Sequence, residues 1–222
     1  MNKTLRLSFS LQNAYRVNTI LYAIKQIPLL KRLLPDSLYA CAGLKIFGQV
    51  LAVLWEIGRF FLGKFLYFLT MVVGVGVLYE QAPTEAAFAH ILIFLTFLGA
   101  FLNTYLFNPT RDKYYAVILL RMDARAYALT NYFYSLVKVV VGFLPFTLLF
   151  GLLAGAPVWL CLLLPFFVAG CKLAVAAASL WDYERRGNAP NENKLSRIGW
   201  SIGGVLFLAA YVPPALGWVL PL

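Results

Sequence analysis

The sequence predicts an all-α fold, a polytopic membrane helix bundle. Its 222 residues are 62% hydrophobic and only 13% charged, with a mean hydropathy of +0.77. Soluble domains sit nearer half apolar and a quarter charged. Several runs reach the roughly 20 apolar residues that a helix needs to cross the hydrocarbon core. These runs are apolar all round, whereas the strands of a membrane barrel alternate polar and apolar over about ten positions.

Residues 1–58 mix apolar and basic residues and are broken by Pro28 and Pro35. Leu7, Leu11, Tyr15 and Tyr22 share a helical face that Asn18 interrupts. The segment therefore reads as one or two amphipathic helices lying along the membrane surface. Its basic residues are spread along its length instead of gathered ahead of one short apolar core, which excludes a cleaved signal peptide. Glu56 and Arg59, three apart on the approach to the first span, are placed to pair as helix neighbours.

Residues 59–222 form the transmembrane domain, with five spans expected near 60–79, 87–107, 136–153, 158–180 and 200–222. Gly151 and Gly155, then Gly170, Ala174 and Ala178, recur every four residues, the spacing at which helices approach closely. Pro213 and Pro214 free carbonyls in the last span, and neighbouring helices have to satisfy them.

Of the 19 Lys and Arg, nine lie in residues 1–64, four in 108–134 and four in 181–199. The connections at 80–86 and 154–157 carry none. Basic residues accumulate on cytoplasmic loops, so the N-terminus is expected inside, in a cytoplasmic (inner) membrane. The formal net charge of +10 then needs no nucleic acid, and anionic lipid headgroups are its expected counterpart. Cys41, Cys161 and Cys171 lack C-x-x-C spacing, so neither a disulfide framework nor a metal site is expected.

Residues 108–138, "NPTRDKYYAVILLRMDARAYALTNYFYSLVK", occupy a connection where a short turn would serve. Asn108 and Pro109 make one helix start and Asp123 a second. Tyr115, Ile118, Leu119, Met122, Ala126 and Leu129 share a helical face, with Lys113, Arg121 and Arg125 away from its centre. Such a segment either rests on the headgroups or meets a partner protein.

Catalytic constellations are sparse. His90 is the single histidine, which excludes H-E-x-x-H chemistry within this chain, and no G-x-x-x-x-G-K-[ST] sequence is present to hold a nucleotide. No G-x-S-x-G elbow occurs either, and no cofactor is expected in the chain itself. A membrane enzyme acting on lipid would need a polar cluster built from separate loops. Lys172 is the ionisable residue farthest inside a span, about eight residues from its inner end. Intramembrane ionisable residues are functional candidates by default, although a lysine also snorkels over that depth. It is the residue that an ATP-independent secondary transporter or channel-like protein would use.

The stretches "SFSLQNAYRVNTILYAIKQIPLLKRLLP" and "YYAVILLRMDARAYALTNYFYSLVKVVVGFLP", with the order of spans, resemble the permease subunits of bacterial type-2 ABC exporters. The resemblance covers most of the chain and lies in architecture more than in fixed residues. It implies that the N-terminal amphipathic segment is an elbow and that the 108–134 segment is a coupling-type helix docking on a separate ATPase subunit, which would bind the ATP. By position, Arg111, Asp112, Lys113, Arg121, Asp123 and Arg125 become ATPase-contact candidates, and the 181–194 loop a second contact. A second permease copy or half is a further expected partner. Such permeases usually have six spans, so the five here are expected to be either the N-terminal part of a longer permease, the favoured reading, or a five-span chain with its C-terminus outside.

Overall fold

The computed structural model describes residues 42–79, 82–106, 111–187 and 197–221, with positions 6, 7, 10, 17, 18, 22 and 26 ahead of them. Most of the expected elbow, the Asn108–Pro109 start and residues 188–194 of the last inner loop lie outside the described residues, while residues 42–58 of the N-terminal segment belong to the first long helix. Over the described residues the chain is all-helical, without strands. The helices are α1 (Ala42–Tyr67), α2 (Thr84–Leu102), α3 (Arg111–Tyr114), α4 (Ala124–Leu153), α5 (Val158–Arg186) and α6 (Arg197–Ala215). Wider turns, wound i to i−5, continue α1 over Phe68–Gly74 and α3 over Tyr115–Leu119.

Among the described residues five stretches are long and apolar enough to cross a membrane: Ile46–Gly74, Thr84–Leu102, Ala124–Leu153, Val158–Arg186 and Ile198–Ala215. This makes the chain a multi-pass membrane protein. The first, third and fourth helices outrun the expected spans because helix formation continues past the point where polarity begins, whereas α2 and α6 end at Leu102 and Ala215, short of the expected 107 and 222. No proline or glycine lies between Ala124 and Val141, so α4 starts well before residue 136. Its 30 residues extend about 45 Å at 1.5 Å per residue, beyond the hydrocarbon core of about 30 Å.

The chain divides into two compact units, Met1–Leu62 with Pro109–Asn131, and Gly63–Asn108 with Tyr132–Leu222. In the second unit α2 is the central helix, packed on α5, α6 and the wide turn after α1. Ala86 to Leu92 are all buried, because the alanines of its first turns let neighbouring backbones close in. Phe68 is fully buried and lies at the middle of an aromatic cluster. Its ring centroid is 5.5 Å from Phe143, 5.9 Å from Phe150 and 6.4 Å from Phe88. Large apolar side chains such as Leu153, Trp159, Phe166 and Val205 are exposed, as a lipid-facing surface permits.

The four-residue series of small residues separates into three uses. A methyl group at Gly151 would come within 2.5 Å of the Cys161 sulfur and 3.3 Å of the Phe88 ring, so this glycine is a point of close approach between α4, α5 and α2. Gly155 has φ +87° and serves instead to turn the chain from α4 into α5. Gly170 meets no neighbour within 4 Å, and Ala174 and Ala178 are exposed. The part of the series on α5 therefore faces away from the described core.

Candidate functional site

The segment between the second and third spans lies in the first unit and is a helix reversal. α3 and its wide turn end where the Leu120 amide donates to the Tyr115 carbonyl and the Met122 amide to the Ala116 carbonyl. Arg121 stands in the left-handed region at φ 49°, a position that glycine or asparagine usually takes. Asp123 then starts α4, its Oδ1 accepting the Ala126 amide at 2.8 Å. That carboxylate is an N-cap, which gives one of the contact candidates a structural use.

The reversal also corrects the expected apolar face. Residues 115–129 cannot present one continuous stripe, because the left-handed residue resets the helical phase. Ala116 and Tyr127 are the buried residues, whereas Ile118, Leu119 and Leu129 of the expected stripe are exposed, together with Tyr114 and Leu120. Arg121 and Arg125 are exposed beside them, and Lys113 is half-buried. Arg111 and Asp112 lie on α3, and their side chains are outside the described ones.

Lys172 has a defined partner in the second unit. Its ammonium donates to the Asn103 carbonyl at 2.7 Å, at the C-terminal end of α2, where the helix dipole favours a cation. The Lys172 carbonyl in turn accepts the Tyr132 hydroxyl at 2.7 Å. One residue therefore ties α2, α4 and α5 together. Lys64 lies over the Phe143 ring at 4.5 Å, a cation–π contact. At the end of α5, Arg185 stacks on Trp181 at 4.0 Å and Arg186 pairs with Asp182 at 2.8 Å. Gly187, at φ 69°, closes the helix by donating to the Tyr183 carbonyl.

His90 is the polar contact that the sequence did not point to. It is 4% exposed, with its ring 4.7 Å from that of Phe94. Nε2 lies 2.9 Å from the Ala209 carbonyl, and Nδ1 accepts the Leu220 amide at 3.3 Å. The Ala209 carbonyl is available because its ordinary helical donor would be residue 213, a proline without an N–H. His90 supplies the missing hydrogen. The two prolines inside α6 signalled a freed carbonyl, but nothing local names a donor 119 residues away.

The chain matches no known family model, no curated protein and no solved structure. Its use has to be read from its own residues. Among the described residues no three His, Cys, Asp or Glu side chains group as metal ligands. An open groove of about 430 Å³ on α6 is lined by Ile198, Ser201, Ile202, Val205 and Leu206. Among the described residues its walls come from one helix and offer a single hydroxyl, which is too little polar convergence to orient a ligand.

Proposed function

We propose that the chain is the membrane-spanning permease subunit of an ABC-type exporter in the cytoplasmic membrane, with the 108–134 segment docking on a separate ATPase subunit. The observation that supports this reading is the outward presentation of Tyr114, Ile118, Leu119 and Leu120 beside exposed Arg121 and Arg125. An aromatic, three aliphatic side chains and two guanidinium groups are suited to a protein groove with an acidic rim. α4 follows Asp123 and runs through Leu153 with Pro145 inside it, so the docking segment is continuous in sequence with a span. Directionality would come from the ATPase favouring one arrangement of the spans when it holds ATP and another after release.

The test is affinity purification of the tagged chain from its native membrane. The wild-type chain is expected to bring down an ATPase bearing G-x-x-x-x-G-K-[ST], and Arg121→Glu with Arg125→Glu to lose it. Both side chains are exposed, so the double variant should fold normally. Undiminished association would remove the docking claim.

The alternative is an ATP-independent transporter or channel-like protein centred on Lys172. The Lys172–Asn103 contact favours a structural use for that lysine. Lys172→Met is expected to cost about 0.5–1 kcal/mol of stability, the scale of polar contacts between membrane helices, and to leave transport unchanged in reconstituted vesicles. Loss of transport without loss of stability would favour the ATP-independent reading.

A further inference from the structure

We propose that His90 is a proton-sensitive latch that holds the turn after α6 against α2. The two ring contacts leave one workable form of the imidazole. Nδ1 accepts the Leu220 N–H, so it carries no proton, and the proton on Nε2 is donated to the Ala209 carbonyl. A second proton would enter at Nδ1 and set one N–H against another. The Leu220 amide then loses its acceptor, whereas the Ala209 carbonyl keeps its donor. Protonation thus releases the Leu220 end of the turn from α2, while α6 and the backbone bonds of Leu216, Gly217 and Trp218 stay in place.

The surroundings give this contact few competitors. The other titratable groups at this end of the described second unit are Glu85 on α2, Tyr67 and Tyr79 before and after the wide turn, Tyr211 on α6 and Cys161 on α5. α4 carries its titratable residues toward its opposite end. Tyrosine and cysteine are neutral over the range in which imidazole changes charge. The Glu85 carboxylate faces the α4–α5 turn instead, where a Cβ added at Gly155 would come to 3.0 Å from its Oε2. The turn being held reports well: Trp218, two residues before Leu220, is 77% exposed, and its amide donates to the Pro213 carbonyl at 2.9 Å.

The experiment uses the full chain in phosphatidylcholine nanodiscs, carrying ¹⁵N-histidine and 5-fluorotryptophan. A single histidine gives one imidazole spectrum, and Trp218→Phe assigns one of the five tryptophan resonances. At about pH 8 the ¹⁵N shifts should report a proton on Nε2 only. Between about pH 8 and pH 5, where imidazole changes charge, the imidazole and the Trp218 resonance should move along one shared titration curve. His90→Gln, whose amide can keep both hydrogen bonds but does not titrate here, should hold Trp218 at its high-pH position. The proposal is overturned by a proton on Nδ1 at high pH, by an imidazole that stays neutral to pH 5, or by a Trp218 resonance that ignores the imidazole titration. A Trp218 shift that persists unchanged in His90→Gln overturns it as well. If that variant does not fold, the two wild-type curves still decide.

Discussion

Phe68→Ala is expected to be the most damaging single substitution in the spans, lowering stability by about 3 kcal/mol. Truncating a buried phenylalanine in a soluble core costs about 3–5 kcal/mol, of which one part is transfer from water and another the cavity left behind. In a bilayer the transfer part shrinks, because lipid is as apolar as the core, while the lost packing remains. The lower end of the range therefore applies. Phe68 meets Phe143, Phe146, Phe150 and Phe88, so one ring removed uncouples the first span from both α4 and α2. Denaturant unfolding in mixed micelles measures this, with the exposed Phe166→Ala as a control expected to change little. Equal losses in the two variants would mean that the aromatic cluster is not the packing centre.

The second large effect is conditional on another residue. His90→Ala is expected to cost about 1–2 kcal/mol, since it leaves the carbonyl freed by Pro213 without a donor in an apolar setting. In a Pro213→Ala background residue 213 regains its N–H and can serve the Ala209 carbonyl within α6. There the same His90→Ala should cost about 1 kcal/mol less. The cycle cancels the loss of the His90 ring against Phe94, which is common to both backgrounds, and isolates the carbonyl. A histidine effect of the same size in both would show that Ala209 does not depend on the proline.

The helical class and the five apolar stretches were legible because bilayer thickness imposes a length that composition reveals directly. The Asp123 start was legible too, since a cap acts on an amide three residues away. What escaped depends on conformation or on distance. Arg121 adopts a left-handed conformation that its residue type does not advertise, so the face expected over Tyr115 to Leu129 was drawn through a reversal. Gly151 and Gly170 look alike in sequence, yet only one has neighbours where a methyl would go. The docking candidates Arg121 and Arg125 were legible as exposed basic residues, whereas the apolar surface beside them became visible only once the reversal was known.

The wide turn at Phe68–Gly74 fits one more residue into a helix than ordinary winding does. A side chain at Gly74 would press to 2.6 Å from the Leu69 carbonyl, so glycine permits the turn, and the Tyr211 hydroxyl donates to the Met71 carbonyl within it at 2.9 Å. Elsewhere in a helix, losing one residue swings everything beyond by about 100° and exchanges the faces. Here a shortening by one would return the winding to the ordinary pitch and leave the flanking faces in phase. The first span therefore carries a place where its length can change by a single residue without rewriting the pattern on either side.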